Sequence, residues 1–120
     1  SCLDAENRYL TTPSSVDFYP MQGSIEDHAS NLPLAVTKCR QMVDNLRYLV
    51  GMEALFASQA VDLRKSDDNG DYVHLGKGTQ KAYDVLRAVV PEMKSNRSVY
   101  DDINKAYQLV LEEKFLADGE

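Results

Sequence analysis

The sequence has little cysteine, no excess of positive charge and no internal repeat, and each shortage excludes a class of protein. Two cysteines in 120 residues are too few for a disulfide scaffold. Thirteen Lys and Arg against nineteen Asp and Glu give a net charge of −6, which opposes binding to nucleic acid. No basic-then-apolar segment typical of a signal peptide stands near the start. A cytoplasmic protein with free thiols is therefore expected.

The remaining composition is that of one folded domain. Apolar residues make up 43% and charged residues 27%, which fits neither a disordered tail nor a membrane protein. Residues 1–23 show no helical period and contain Pro13 and Pro20. Because the first residue is Ser1, we expect a piece of something longer. The sequence predicts an irregular segment over 1–23 and a helical domain over 24–120.

A long helix is predicted from Ser24 to Leu63. Ser24 and Asp27 have the spacing of a capping box, and Pro33 predicts a kink or restart between residues 30 and 33. The apolar face is about 140° wide, and the span from Leu32 to Leu63 is about 48 Å, so it exceeds what one small core can cover. Three adjoining heptad rows form this face: Ala35, Met42, Leu49, Phe56, Leu63; Val36, Val43, Val50, Ala57; and Leu32, Cys39, Leu46, Glu53, Ala60.

Two shorter helices complete an all-α fold. One is predicted to begin at Thr79 and stop before Pro91, and the other to follow Ser98, which is placed to cap it. The last helix is expected to fray by residues 118–119. No stretch alternates with period two, so the only strand signal is a turn at Asn69-Gly70 that could close a small hairpin.

The run Glu26-Asp27-His28 is the strongest cluster of titratable residues. Acidic residues are also common in the first turn of a helix, where they complement the helix dipole, so this interpretation stays open. Neighbouring helical positions point about 100° apart, which disfavours a metal site. The run from Asp67 to Asp71 has no Glu at the twelfth place of a calcium loop and is interpreted as a solvated turn. Cys39 lies on the apolar face and is predicted to be a buried thiol.

Several segments with matching spacing carry a family resemblance. Pro13-Ser14-Ser15-Val16-Asp17-Phe18-Tyr19-Pro20 and Ser24-Ile25-Glu26-Asp27-His28-Ala29-Ser30 resemble Pro-x-Ser-Val-Asp-x-x-Pro and Gln-Glu-Asp-His-x-Ser of the aromatic amino-acid ammonia-lyases, histidine ammonia-lyase above all. Ala54-x-x-Ala57-x-Gln59-Ala60-x-Asp62-Leu63-Arg64 resembles the end of that family's long helix. Leu75-Gly76-x-Gly78-Thr79 and the stretch from Val90-Pro91 through Asp101-Asp102-Ile103 resemble its closing helices.

The resemblance implies an enzyme that eliminates ammonia from histidine, phenylalanine or tyrosine. The family uses an electrophilic 4-methylidene-imidazole-5-one group formed from an internal Ala-Ser-Gly, and its catalytic tyrosines, arginine and asparagine lie upstream. This chain has no Ala-Ser-Gly. The resemblance therefore covers the carboxy-terminal part only, with no cofactor in this chain, and predicts that the isolated chain is inactive.

In the family's Gln-Glu-Asp-His motif, the Glu lies near the substrate and the prosthetic group. The resemblance implies that Glu26 is the corresponding residue of this chain. A carboxylate there could hold the substrate's ammonium or imidazole by a charge-assisted hydrogen bond. The same motif makes His28 a substrate-binding candidate and includes Asp27. The family's preceding Gln is Ile25 here. Glu26 as a site residue and Glu26 as a helix-capping residue are both kept.

Two functions follow as hypotheses. The chain is either a carboxy-terminal fragment or domain of a histidine or aromatic amino-acid ammonia-lyase, or a stand-alone helical oligomerisation module without catalytic activity. A homo-oligomer through the long helix is expected, since the resembling family's tetramers pack such helices into a central bundle. No nucleic acid, membrane or metal partner is expected.

Overall fold

The computed structural model describes residues 2–16, 20–67 and 73–116 of the chain. Helices dominate these residues, and the all-α prediction is confirmed. The helices are α1 (Cys2–Leu10), α2 (Leu32–Ser66), α3 (Lys77–Arg87) and α4 (Tyr100–Leu111); the strands are β1 (Pro20–Met21) and β2 (Glu26–His28); and two 3-10 turns span Ser14–Val16 and Gln22–Ser24.

Helix α1 occupies part of the segment that was predicted to be irregular, so that detail of the prediction is wrong. Its half-buried positions are Leu3, Asn7 and Leu10, which have helical spacing. Because the middle one of these three positions is the polar Asn7, the sequence of α1 shows no apolar periodicity. The side chain of Asn45 donates a hydrogen bond to the Asn7 Oδ1 at 3.0 Å. This bond explains why an amide can occupy the packed side of the helix.

The long helix begins at Leu32 and not at Ser24. The residues from 24 to 31 form a turn and a strand instead, so the predicted capping box does not start a helix. Pro33 lies in the first turn, where its missing N–H needs no intrahelical acceptor. The expected restart between residues 30 and 33 is therefore the true start of the helix. The carbonyl of Asn31 accepts the N–H of Ala35 at 3.1 Å and closes the first turn.

The chain divides into two compact units, residues 1–46 and 47–120. In the second unit, the core consists of Leu86, Val90 and Ala106, with partly buried apolar side chains packed around it. A Cβ added to Gly51 would lie 3.1 Å from the carbonyl carbon of Ala106, so glycine permits a close approach between α2 and α4. Tyr48 and Tyr107 stack beside this contact with their ring centroids 4.1 Å apart.

The two shorter helices lie close to their predicted positions. Helix α3 begins two residues before Thr79 and ends before Pro91, as expected. Ser98 was predicted to cap α4, but Val99 is the residue at its N-cap and no side chain makes a cap hydrogen bond there. The Ser98 hydroxyl instead accepts the N–H of Tyr100 at 3.4 Å. The hairpin predicted at Asn69-Gly70 and the fraying predicted for residues 118–119 lie outside the described residues.

Candidate functional site

The Glu26-Asp27-His28 motif lies on an antiparallel hairpin. Strand β2 pairs with β1, with His28 opposite Pro20 and Glu26 opposite Met21. The tight turn between the strands places Gln22 at a φ of 46° and Gly23 at a φ of 61°. An extended backbone at Glu26 contradicts the helix-capping interpretation, since the residue lies in no helical turn. The competing interpretation, a site carboxylate, stays a prediction.

The side chains beside Glu26 are open to solvent in this chain. Ile25 is 86% exposed, although it is apolar. His28 is also exposed. An apolar side chain and an imidazole on an exposed hairpin can contact a substrate or another part of a longer protein. Among residues 2–16, 20–67 and 73–116, no group of three His, Cys, Asp or Glu side chains could hold a metal ion.

A polar row at intervals of seven residues attaches α2 to the rest of the first unit. Asn31 Nδ2 donates to the carbonyl of Ser14 at 3.1 Å. One heptad later, Lys38 Nζ donates to the carbonyl of Thr12. One heptad further, Asn45 Nδ2 donates to Glu6 Oε2 and Asn7 Oδ1, each at 3.0 Å. We call Asn31, Lys38 and Asn45 the polar row. From Asn31 to Asn45, the hydrogen-bond partners move back along the chain from Ser14 to Glu6. Residues 6–14 therefore run antiparallel to α2.

The apolar rows, which were expected to exceed what one small core can cover, are largely exposed. Cys39 is an exposed thiol, so its assignment to the core is wrong. Glu53 is exposed, and no buried carboxylate interrupts the apolar face. The most exposed apolar members of the three rows are Leu32 (61%), Val36 (59%), Leu46 (54%), Phe56 (77%) and Leu63 (61%). Each unit therefore has an apolar strip that its own described residues leave uncovered.

The second unit contains an apolar cavity of about 190 Å³ between α2, α3 and α4. Its charged neighbours are already paired: Arg97 contacts Asp102 at 2.7 Å, and Arg87 contacts Asp62 at 2.5 Å. Asp62 also accepts the Tyr83 hydroxyl. Because these carboxylates are occupied by guanidinium groups, they stabilise the packing and are poor candidates for acid–base chemistry. The sequence reasoning missed both pairs, since their partners lie on different helices or across a loop.

In the loop between α3 and α4, backbone groups form hydrogen bonds with side chains and not with the backbone of a neighbouring strand. Gln59 of α2 forms two hydrogen bonds with the backbone of Met93, donating at 3.2 Å and accepting at 3.0 Å. Arg97 donates to the carbonyl groups of Pro91 and Glu92. These bonds satisfy the backbone of a segment without regular structure, so this loop is a fixed wall of the cavity.

Comparison with known proteins identifies the family. The sequence profile of the family described as aromatic amino acid lyase matches residues 1–88. Histidine ammonia-lyase 1 of Fusobacterium nucleatum is 34% identical over 118 residues, covering 98% of this chain and 22% of that protein. Histidine ammonia-lyase of Streptococcus sanguinis is 37% identical over 117 residues, covering 96% of this chain and 22% of that protein.

A solved structure is similar as well. The crystal structure of the ergothioneine-degrading enzyme Ergothionase from Treponema denticola, in complex with desmethyl-ergothioneine sulfonic acid, superposes with a TM-score of 0.82. It is 48% identical to this chain and covers 96% of it, and the chain covers 22% of that enzyme. The chain belongs to the aromatic amino acid lyase family. It spans 22% of the length of the relatives named here.

No helix within residues 2–16, 20–67 and 73–116 combines the length and the apolar character that crossing a bilayer requires.

Proposed function

We propose that this chain is part of a lyase of the ammonia-lyase family that cleaves the carbon–nitrogen bond of histidine or a related imidazole-containing substrate. The leaving group is ammonia from histidine and trimethylamine from a trimethylated derivative such as ergothioneine. The chain's contributions are the Glu26 carboxylate and an apolar helix face that assembles the enzyme. The observation that carries the proposal is the setting of the family motif in this chain: the motif lies on an exposed hairpin, and the helix that follows it has uncovered apolar rows. Both features suit a segment completed by further protein.

Glu26 is proposed to bind the positive end of the substrate. A carboxylate accepts hydrogen bonds from a primary ammonium or from a ring N–H and is about twice as strong an acceptor as a neutral group. The quaternary ammonium of ergothioneine has no N–H, so for that substrate the ring N–H is the proposed donor. The extended backbone at Glu26 removes the competing explanation that its charge serves a helix dipole. His28 is exposed on the same strand, and we propose it as a second contact to the substrate.

The substrate is proposed to differ from that of the histidine ammonia-lyase relatives. Ile25 stands where the family motif has Gln, so one amide is replaced by an apolar side chain. The 48% identity to the ergothioneine-degrading enzyme exceeds the 34% and 37% identities to the histidine ammonia-lyases. These two observations favour ergothioneine or a similar histidine derivative over histidine itself.

The family's 4-methylidene-imidazole-5-one group cannot arise within this chain, since no Ala-Ser-Gly occurs in it. We propose that the remainder of the longer enzyme supplies the group, and this chain's residues only bind and orient the substrate beside it. The alternative function, an oligomerisation module without catalysis, is supported by the uncovered apolar rows alone.

The test is an assay of the full-length protein with ergothioneine, histidine, phenylalanine and tyrosine in parallel. The conjugated product of an elimination absorbs in the near ultraviolet and is easily followed. Turnover of an imidazole-containing substrate supports the proposal, and turnover of phenylalanine or tyrosine alone contradicts the substrate class. A full-length protein that has no Ala-Ser-Gly and turns over none of the four substrates favours the module without catalysis.

A further inference from the structure

The two ends of the segment that carries Glu26 are joined by one side chain, that of Asn31. After the turn at Ser14–Val16 the chain enters the hairpin of β1 and β2 and then returns to Asn31, where α2 starts. The half-buried hydrogen bond from Asn31 Nδ2 to the Ser14 carbonyl spans 17 residues of sequence and joins the two ends of this segment. A loop of this length has considerable freedom unless its ends are fixed.

Asn31 is suited to this task by its backbone as well as its side chain. Its φ of 45° lies in the left-handed region, which asparagine tolerates better than most residues. Its carbonyl accepts the first hydrogen bond of α2. One residue therefore connects a rigid helix, the 3-10 turn and the exit from the hairpin.

We propose that Asn31 is a positioning residue for the Glu26 carboxylate. The inference rests on the proposed function of Glu26. The hairpin has only two paired positions, and a two-stranded hairpin of that size is marginal by itself. Its placement must therefore come from its attachment to the helix. Lys38 attaches the residues just before this segment to α2 through the carbonyl of Thr12, and Asn31 is the member of the polar row that adjoins the hairpin.

The experiment uses the full-length enzyme with Asn31→Asp and Asn31→Gly. Both replacements accept a positive φ, and aspartate is as good a helix N-cap as asparagine, so the start of α2 is kept. Neither can donate to the Ser14 carbonyl. The matched control is Ser14→Ala, which retains that backbone oxygen. We expect both Asn31 variants to lower kcat/KM about tenfold with an unchanged melting temperature, since small misplacements of a reacting group are costly. The control stays at the unmodified rate.

A double-mutant cycle with Glu26→Gln identifies the route of the effect. If Asn31 acts by placing Glu26, the double variant with Asn31→Asp is no slower than Glu26→Gln alone. If the double variant instead loses kcat/KM by the product of the two single losses, this inference is overturned and the proposed role of Glu26 is left intact. Full activity of Glu26→Gln overturns the proposed role of Glu26 and this inference with it. A lower melting temperature with unchanged kcat/KM in the Asn31 variants makes Asn31 purely structural and also overturns the inference.

Discussion

Asn45 on α2 and Asn7 on α1 are joined by a side-chain hydrogen bond of 3.0 Å across 38 residues of sequence. Asn45 is only 3% exposed, and its amide also donates to Glu6 and accepts from Gln41. Every polar atom of this buried side chain has a partner. These hydrogen bonds therefore attach α1 to the long helix through polar side chains.

Replacing Asn45 by Ala should destabilise the first unit. The change removes the donor of the half-buried Asn7 Oδ1, whereas water can replace it at the exposed carboxylate of Glu6. An unsatisfied polar group of this kind costs about 1–3 kcal/mol of unfolding free energy. Urea unfolding followed by circular dichroism measures this difference. The control is Thr37→Ala, an exposed position on the same helix whose hydroxyl bonds only to the carbonyl of Pro33. Equal losses in the two variants would contradict the importance of the polar row.

The polar row also explains which parts of the fold could be predicted. Helices α2, α3 and α4 follow from apolar periodicity, and the predicted positions of α3 and α4 are close to the observed ones. The predicted end of α2 is also close, whereas its observed start at Leu32 is eight residues later than predicted. The pattern was misleading about the direction of α2, because an apolar face is normally assumed to point inward. Here Asn45 and Lys38 face the chain's own residues, whereas Val36 and Leu46 are exposed. Periodicity identifies the apolar and the polar face of a helix. It does not reveal which of the two faces packs against residues of the same chain.

The hairpin could not be predicted for a different reason. Ser24 and Asp27 have the spacing of a capping box, which by itself predicts the start of a helix. The left-handed conformations of Gln22 and Gly23 reverse the chain just before it, and Pro33 marks a later helix start. The family motif does not depend on the secondary structure assigned to it, so its assignment of Glu26 and His28 is unaffected by this error and stays a prediction.

The buried ion pair between Arg87 and Asp62 should contribute more to stability than a surface pair. The two side chains are 14% and 8% exposed. Arg87→Met keeps the unbranched apolar stem of the side chain and removes the charged guanidinium, which leaves the carboxylate of Asp62 with the Tyr83 hydroxyl as its hydrogen-bond donor. We expect a loss of about 3–5 kcal/mol of unfolding free energy.

The surface pair of Arg8 and Asp4 is the matched control. It has an N–O distance of 3.0 Å, and its side chains are 80% and 55% exposed. Exposed pairs at this spacing contribute about 0.3–0.5 kcal/mol, so Arg8→Met should be nearly neutral. Thermal unfolding of both variants gives the comparison, and a small effect of Arg87→Met would show that Asp62 has enough other contacts.

The isolated 120-residue chain should release no conjugated product from any aromatic amino acid. The electrophilic group that activates the substrate needs an Ala-Ser-Gly, and the sequence has none. An absorbance assay at high protein concentration checks this expectation. Reproducible turnover that disappears with Glu26→Ala would contradict it.

In the full-length enzyme, Glu26→Gln should lower kcat/KM by at least about tenfold, which corresponds to about 1.4 kcal/mol. The replacement keeps the shape of the side chain and removes the charge that we propose holds the substrate. Steady-state kinetics with the preferred substrate measures the loss. The control is Glu112→Gln, which makes the same chemical change at an exposed position after α4, outside the three apolar rows. Unchanged kinetics in a folded Glu26 variant would remove this carboxylate from the site.

The chain should self-associate through the apolar rows of α2. In the first unit Val36 and Leu46 are 59% and 54% exposed, and in the second unit Phe56 is 77% exposed. Soluble monomers seldom expose apolar patches larger than a few hundred Å². A second copy offers the same rows and can cover them in a symmetric contact between helices. Sedimentation at micromolar concentration should therefore give a mass above 13.5 kDa.

Charged substitutions in the rows test where the copies meet. Leu46→Glu and Phe56→Glu each place a carboxylate in the proposed contact and remove an apolar side chain whose burial contributes about 1.5–3 kcal/mol. Each should weaken association by about tenfold or more. Thr37→Glu adds the same charge at an exposed position of α2 outside the three rows, and its association should match that of the unmodified chain. Equal weakening by all three variants would assign the effect to net charge, and a folded unmodified chain of 13.5 kDa would refute the apolar contact.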